Sequence, residues 1–346
     1  MTAHRLGEVM SAEMAEQPAR LSALLARRQE IAASVRSVRP RDLAGTVLVA
    51  RGSSDHAATC GAYLLEMASK RPVSLTSPSV TTLYGVPTDF TGYLVVAASQ
   101  SGRTPEIVEV VERARSRGAK TVAVTNDPAS PLAGAAELVV DLAAGEERAV
   151  PATKTVTAQV VAFAVIAQAL GDAGLSDQAA GQLPDQVAEV LADEGPAAEL
   201  AEWLSGADQL VTVARGILYG AAQEVALKIE ETTARLGAAF SAADLRHGPI
   251  AIASGASRRP PVVAFAHPGP AAQDVLDVVA ELRARGADAR LAGPVEGSSL
   301  PWSAAAPEIL APVLAIVRGQ QIALEMARHL GLDPDAPTGL TKVTIT

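Results

Sequence analysis

Three hydroxyl side chains and a glycine lie between an apolar run and a proline in the first half of the chain: Ser99, Ser101, Gly102 and Thr104. The apolar run at 93–98 predicts a buried parallel strand, and Pro105 stands where the first turn of a helix tolerates proline. A loop entering a helix offers backbone N–H groups and the positive end of the helix dipole, and the hydroxyls add neutral donors. This chemistry suits a phosphate dianion, so the loop predicts a phosphosugar site. A helix capped by Ser101 or Thr104 without any ligand is the alternative that the loop alone leaves open.

The elements that must position this loop are strands that alternate with helices. Predicted strands lie at 46–50, 73–75, 93–98, 121–124 and 138–141 in the first half of the chain, and at 210–214 and 261–266 in the second. Alternation of this kind builds parallel, doubly wound sheets, whose ligands gather beyond the carboxyl ends of the strands. Ser54 and Ser99 both lie at such ends.

The second half of the chain weakly repeats the first, because 213–216 (Val-Ala-Arg-Gly) resembles 49–52 (Val-Ala-Arg-Gly) at the end of a predicted strand. The repeat predicts an α/β protein with two tandem copies of one flavodoxin-like, three-layer αβα domain. The predicted boundaries are an N-terminal helical arm at 1–38, a first domain at 39–182, a helical connector at 183–204, a second domain at 205–330 and a C-terminal tail at 331–346.

Composition limits the classes of partner. The 346 residues carry a net charge of -9 at pH 7, which argues against nucleic acid or an anionic membrane as a partner. The single cysteine, Cys60, cannot form an intrachain disulfide, so a reducing cytoplasm is expected. The start of the chain lacks an apolar signal core, and the longest apolar run, 160–170, predicts a buried helix because it is too short to span a bilayer. Motifs for dinucleotides, for P-loop nucleotides and for metals are absent from the sequence.

Four segments in this order resemble the sugar isomerase (SIS) domain family, in particular the isomerase half of glucosamine-6-phosphate synthases and their stand-alone relatives. The segments are 51–54 (Arg-Gly-Ser-Ser), 99–104 (Ser-Gln-Ser-Gly-Arg-Thr), 228–249, which runs from a Lys-x-x-Glu motif to Leu-Arg-His-Gly-Pro, and 340–342 (Leu-Thr-Lys). The opening segment, 10–18, is also similar to the start of that family's isomerase region. Each segment alone is a weak match, whereas the ordered set is a specific one.

The resemblance implies a role for twelve residues. Glu231 matches the family's catalytic base, Lys228 a supporting lysine, His247 the histidine that opens the sugar ring, and Lys342 the lysine that forms an imine with an open-chain ketose. The positions that match phosphate and sugar contacts are Ser54, Ser99, Gln100, Ser101, Thr104, Val150, Ala152 and Thr341. In the family the histidine enters the site from the neighbouring subunit, which implies an obligate homodimer. The sequence alone does not say which of Glu230 and Glu231 faces inward, and the family register selects Glu231.

Departures from the family pattern qualify these roles. Ala152 replaces a serine that touches the sugar, and Pro151 alters the same loop, which removes one side-chain hydrogen bond worth roughly 0.5–1.5 kcal/mol. Thr341 replaces an alanine beside the imine lysine, and 236–238 replaces His-Ala-Glu after the helix of the base. The sequence has no glutaminase segment and no cysteine after Met1, so full synthase activity is not expected.

These residues predict an enzyme that converts glucosamine 6-phosphate to fructose 6-phosphate and ammonia, with no metal or organic cofactor. Three alternatives stay open: an N-acetylglucosamine-6-phosphate dehydratase, a fructosamine-6-phosphate deglycase, and a phosphosugar-binding sensor without catalysis. A sensor would not require Glu231, His247 and Lys342 together, and the sequence has no helix-turn-helix segment, so we favour an enzyme.

Overall fold

A computed structural model describes residues 6–255 and 259–342 of the protein. The chain divides into two compact units. The first unit comprises residues 19–147 and 154–181, and the second comprises the described residues up to Pro18 together with 148–153 and 182–342. The domain boundaries given above stay predictions, since the units are interleaved along the chain rather than consecutive.

The predicted N-terminal helical arm is present as three short helices, α1 (Glu8–Ala15), α2 (Gln17–Ala26) and α3 (Arg28–Val38). Pro18 lies in the first turn of α2, where its missing N–H costs least, so it begins a new helix instead of continuing α1. Met10, Leu21 and Leu24, which share the apolar positions of the arm, are fully buried.

The first unit contains a five-stranded parallel sheet that confirms the predicted strands. In chain order its elements are β1 (Gly45–Val49), α4 (Ser53–Ser69), β2 (Val73–Leu75), α5 (Pro78–Thr82), β3 (Tyr93–Ser99), α6 (Pro105–Ser116), β4 (Lys120–Thr125), α7 (Pro131–Ala135), β5 (Leu138–Asp141) and α8 (Lys154–Leu170). The strand order is β2-β1-β3-β4-β5. The connection that follows β1 therefore runs towards one edge of the sheet, and the connection that follows β3 runs towards the other. The carboxyl ends of β1 and β3 therefore form a topological switch point, where ligands of such sheets bind.

The second unit contains another five-stranded parallel sheet. After α9 (Asp177–Ala192) and α10 (Gly195–Ser205) follow β6 (Gln209–Ala214), α11 (Tyr219–Thr233), β7 (Leu236–Ser241), α12 (Ala242–Arg246), β8 (Val262–Phe265), α13 (Ala272–Ala284), β9 (Ala289–Ala292), β10 (Ser298–Leu300) and α14 (Ala311–His329). Its order, β10-β9-β8-β6-β7, is that of the first sheet when it is read from the other edge. The two sheets thus share one topology, which confirms the tandem repeat predicted from the short sequence match between 49–52 and 213–216.

Three strands of the second sheet, β7, β9 and β10, are not predicted from the sequence. Residues 236–239 of β7 are Leu-Gly-Ala-Ala, and β10 is Ser-Ser-Leu, so neither carries the β-branched run that marks a buried strand. Both are edge strands, which bury less apolar surface than central ones. Pairing with β6 and β9, rather than local propensity, makes these segments strands.

Apolar helix faces cover both sheets. In the first unit Val95 and Ala97 of β3 pack with Ile107 and Val110 of α6, and α8 buries all of its residues except Gln168. In the second unit residues of β6 and β8 pack with 275–282 of α13. This packing holds the loops at the strand ends in place.

One helix among the described residues, Glu308–His329, is long and apolar enough to cross a membrane by length and composition. Of its most apolar window, 89% is buried inside the protein. Core helices pass the same test, and α14, which forms most of this segment, has buried side chains along nearly its whole length.

Candidate active site

The β3–α6 loop of the first unit has a fixed shape that only glycine permits at Gly102. Gly102 has a φ of 62°, and a Cβ atom on it would lie 2.1 Å from Oγ of Ser130. Its carbonyl oxygen accepts a hydrogen bond of 3.0 Å from the N–H of Leu132. The loop is therefore held against the start of α7, and its backbone has little freedom to change.

The hydroxyls of this loop organise its backbone as acceptors. Ser99 Oγ accepts from the Gly102 N–H at 3.2 Å, and Ser101 Oγ accepts from the Arg103 N–H at 3.3 Å. A hydroxyl that accepts in this way still has its own proton to donate, and an anion is a suitable acceptor. Thr104 occupies the N-cap position of α6 but makes no side-chain capping bond. The loop thus presents hydroxyl donors at a helix start, as an anion site requires.

Substituting Gly102 with alanine should damage this loop severely. Alanine at a positive φ costs about 1–2 kcal/mol, and the overlap with Ser130 adds about 1–3 kcal/mol. Gly85→Ala is the matched control, since Gly85 has the same φ of 62° but no atom within 4 Å of its Cβ position. Urea unfolding should show the larger loss for Gly102→Ala, and calorimetry should show weaker binding of glucosamine 6-phosphate. Equal losses for the two variants would mean that the contact with Ser130 does not shape the loop.

Ser54 lies on the first turn of α4, just beyond the carboxyl end of β1, and is 8% exposed. Nε2 of Gln159 donates to its hydroxyl oxygen at 2.9 Å, which leaves the hydroxyl proton available for a ligand. Gln159 lies on α8, is 1% exposed, and its Oε1 has no hydrogen-bond partner among the described residues. Gln159 is not among the residues predicted from the sequence, although a glutamine inside so apolar a helix is itself a signal.

Two arginines near the loop are already ion-paired. Arg51, which follows β1, contacts Glu106 on the first turn of α6 with an Nη2–Oε2 distance of 2.7 Å. Arg103 contacts Asp127 at 2.9 Å. A carboxylate at a helix start is favourable in itself, and the Arg51 pair joins the loop that follows β1 to the first turn of α6. Hydroxyl and backbone donors, rather than these two cations, are therefore the groups left to face a phosphate.

The second unit holds a buried charge cluster on one face of α11. The Lys228 amine pairs with the carboxylate of Glu231 and lies 3.4 Å from that of Glu224. The side chains of Lys228 and Glu224 are 1% and 0% exposed, whereas that of Glu231 is 20% exposed. A surface ion pair, the ordinary meaning of an i, i+3 Lys–Glu spacing, does not describe this cluster. Glu224 was missed by the sequence analysis, although its position four residues before Lys228 places it on the same helix face.

Burial and the neighbouring charges set the protonation of this cluster. Burial raises the pKa of the Glu231 carboxyl, Lys228 and Lys342 lower it, and Glu224 raises it, with a net result above the ordinary value. Burial alone would lower the pKa of Lys228, but the two carboxylates outweigh it and raise that pKa. Lys228 therefore stays charged, and Glu231 is a carboxylate whose proton affinity is increased, as a proton-transfer base requires.

The adjacent carboxylate, Glu230, has a different environment. Its Oε1 accepts a hydrogen bond of 3.1 Å from the N–H of Gly237, at the start of β7. Glu231 rather than Glu230 thus pairs with Lys228, in agreement with the register that the resemblance selected.

The remaining predicted site residues of the second unit have varied surroundings. Lys342 is half-buried, and its charge acts on Glu231. Val150 and Ala152 are half-buried, and Thr341 is exposed. His247 is exposed at the end of α12; its backbone N–H donates to the Asp244 carbonyl oxygen at 3.0 Å, but its imidazole makes no hydrogen bond or ion pair with a described residue. Lys228 and Glu231 are thus in direct contact, Lys342 lies near enough for its charge to lower the pKa of Glu231, and His247 makes no contact with this cluster.

Residues 343–346 of the predicted tail lie outside the described residues, as does His4. Within residues 6–255 and 259–342, no three His, Cys, Asp or Glu side chains are grouped so that they could hold a metal ion.

Comparisons with known proteins agree with the geometry. The family model for the SIS domain matches residues 46–169 and 203–292. A glutamine–fructose-6-phosphate aminotransferase (isomerizing) from Gloeobacter violaceus is 34% identical over 322 residues, which cover 87% of this chain and 52% of that protein. The chain thus spans about half the length of such relatives.

Solved structures match over nearly the whole chain. A candidate phosphosugar isomerase from Silicibacter pomeroyi is 32% identical, with a TM-score of 0.85 and coverage of 94% of this chain and 99% of that one. Glucosamine-6-phosphate deaminase from Thermotoga maritima has a TM-score of 0.74 at 21% identity, with coverage of 93% and 99%, which shows a shared fold.

Proposed function

The chain belongs to the SIS domain family, and from this premise we propose that it is a phosphosugar isomerase acting on an amino sugar. The proposed reaction converts glucosamine 6-phosphate and water to fructose 6-phosphate and ammonia. The similarity to isomerising aminotransferases supports this substrate class, because the name of those relatives gives fructose 6-phosphate as a substrate, and fructose 6-phosphate has the carbon skeleton of glucosamine 6-phosphate. We also propose a homodimer in the cytoplasm.

The observation that carries the proposal is the Glu231–Lys228–Glu224 cluster. Isomerisation of an open-chain amino sugar moves a proton from C2 to C1, which requires a base that can take a proton from carbon and return it. The raised pKa of Glu231 suits that task, and the ammonium of Lys228 can stabilise negative charge that develops on the sugar oxygen. A site that only bound sugars would gain nothing from burying this cluster.

The other predicted residues complete the reaction in separate steps. We assign the phosphate to the hydroxyls of Ser54, Ser99, Ser101 and Thr104, with Gln100 beside them. We assign ring opening to His247, donated by the neighbouring subunit; its exposure is consistent with a role in a second chain.

Release of ammonia requires a nucleophile at C2. The proton shift gives a C2 imine, which the Lys342 amine attacks to form a lysine imine as ammonia leaves. Water then hydrolyses the lysine imine, which regenerates Lys342 and frees fructose 6-phosphate.

A dehydratase is the second candidate, and Ala152 favours it. Ala152 lacks the hydroxyl that the family pattern has at this position, so the sugar meets one polar group fewer and its orientation can differ. If that substituent is an acetamide it cannot leave as ammonia, but Glu231 can still remove the C2 proton. The resulting C1–C2 enol would expel the 3-hydroxyl as water and give a 2,3-unsaturated aldehyde.

Turnover of three substrates tests the proposal. The purified chain is incubated with glucosamine 6-phosphate, N-acetylglucosamine 6-phosphate or fructosamine 6-phosphate, and ammonia, fructose 6-phosphate and ultraviolet absorbance are measured separately. We expect equal amounts of ammonia and fructose 6-phosphate from the first sugar alone. An absorbing product from the second would identify a dehydratase, release of an amine from the third a deglycase, and binding of all three without turnover a sensor.

A further inference from the structure

The C-terminal tail of the second unit is fastened to the N-terminal end of α1 by two aspartates. Asp335 accepts hydrogen bonds from the backbone N–H groups of Val9 at 2.8 Å and Met10 at 2.7 Å, one on each carboxylate oxygen. Asp333 accepts from the N–H of Gly7 at 3.1 Å. The first amides of a helix have no partner within the helix, so a carboxylate there is bound by both hydrogen bonds and the helix dipole.

The packing around this contact also specifies it. The residue before α1 is Gly7, with a φ of 68°, and a Cβ atom there would lie 2.4 Å from Leu324 of α14 and 2.7 Å from Pro334. Gly7 has no side chain to cap α1, so Asp335 supplies the cap from 325 residues further along the chain. Pro334 is buried in the contact.

The fastened segment leads directly to Lys342. Six residues lie between Asp335 and Lys342, and Pro337 among them limits the conformations of the intervening chain. Lys342 is half-buried, and its positive charge lowers the pKa of Glu231, so the tail places this charge within electrostatic range of the cluster on α11. Asp335 thus ties the tail to a helix a short distance before Lys342.

We propose that Asp335 is a positioning residue, which holds Lys342 at the Glu231 cluster by clamping the tail to the start of α1. The proposal rests on the proposed function of Lys342 as the imine-forming amine. In this arrangement α1 takes no direct part in the chemistry. Its first amides nevertheless fix the position of the Lys342 side-chain amine, because they bind the tail that carries it.

Asp335→Ala tests the clamp, with Asp335→Asn as a milder variant that keeps one acceptor oxygen. Hydrogen exchange should accelerate at the amides of Val9 and Met10 and at residues 336–342 in Asp335→Ala, and less so in Asp335→Asn. Acylation of Lys342 by an amine-directed reagent, followed by peptide mass spectrometry, should also become faster, and more so in Asp335→Ala than in Asp335→Asn. Asp89→Ala is the matched control, because Asp89 caps only its own turn in the first unit.

Kinetics separate positioning from simple destabilisation. Displacing a reacting group by about 1 Å can cost up to about 100-fold in rate, so kcat of Asp335→Ala should fall by about 10- to 100-fold while KM changes little. Partial rescue in Asp335→Asn, at equal thermal stability, supports positioning. Exchange that accelerates at α1 while both Lys342 acylation and kcat stay at the wild-type level overturns it.

The acylation readout does not depend on the reaction. If the wild-type chain turns over no phosphosugar, the proposed function fails, but faster acylation of Lys342 in Asp335→Ala still supports the clamp. If the wild-type chain is active and Lys342 reacts equally in both proteins, the clamp alone fails.

Discussion

Glu231→Gln should lower kcat on glucosamine 6-phosphate by about 10²- to 10⁴-fold, the usual contribution of a general base. Glutamine keeps the shape of the side chain and accepts a hydrogen bond from Lys228, but it cannot take a proton from C2. Ammonia release and deuterium incorporation at C1 in heavy water measure the loss. Binding of the sugar, followed by calorimetry, should remain close to that of the wild type.

Glu230→Gln is a control one residue away. Glu230 contributes its Oε1 to the N–H of Gly237, and the amide oxygen of glutamine can accept that bond equally well. We therefore expect almost unchanged kinetics. If Glu230→Gln were the inactive variant, or if both were active, the assignment of the base to Glu231 would be wrong.

The pH dependence of kcat/KM follows from the same group. Glu231 acts as a base only when ionised, so activity falls as the pH drops through its pKa, which burial places above the ordinary value for glutamate. For stability the sign is opposite. A raised carboxyl pKa means that the folded state binds more protons, so the contribution of Glu231 to folding diminishes as pH rises from its ordinary pKa through the raised one.

The sequence predicted the parts of this fold that rest on local signals. The strand before Ser99 was predictable because a parallel strand buried on both faces is a continuous apolar run, and Pro105 marks a helix start. Strands β7 and β10 were not, because their small and polar residues become strands only through pairing with a neighbour. Pro18 was visible in the sequence, but its effect of dividing the arm into α1 and α2 depends on where each helix packs.

The candidate site divides in the same way. The resemblance identified Glu231 and Lys228 as site residues. Their burial depends on the packing of α11, and it is this burial that distinguishes the pair from an ordinary surface ion pair. Asp335 acts through a partner 325 residues away, so no spacing in the sequence could indicate it. Gln159 was noticeable as a glutamine in an apolar helix, but its partner Ser54, 105 residues away, was not predictable. His247 was identified by resemblance alone, and the chemistry assigned to it depends on a second chain.

Lys228→Met should destabilise the protein by about 3–5 kcal/mol, the usual cost of removing one partner from a buried ion pair. Methionine fills a similar volume, so the loss would come from charge: Glu224 and Glu231 would face each other without the cation that now lies between them. Urea unfolding at neutral pH measures it. The deficit should shrink in acid, because protonated carboxyls do not repel each other.

A second substitution shows whether charge is the cause. Glu224→Gln removes one of the two buried carboxylates, so the double variant with Lys228→Met should recover part of the lost stability, as residues in one cluster are not additive. Lys120→Met is the surface control, since Lys120 pairs with Glu137 at 2.9 Å but is 48% exposed and should cost no more than about 1 kcal/mol. If the losses in unfolding free energy for the Lys228 and Glu224 variants were additive and independent of pH, Lys228 would stabilise the protein through packing and not through its charge. The neighbouring charges would then not set the pKa of Glu231. Charges that change the proton affinity of a buried base must also contribute to the free energy of unfolding.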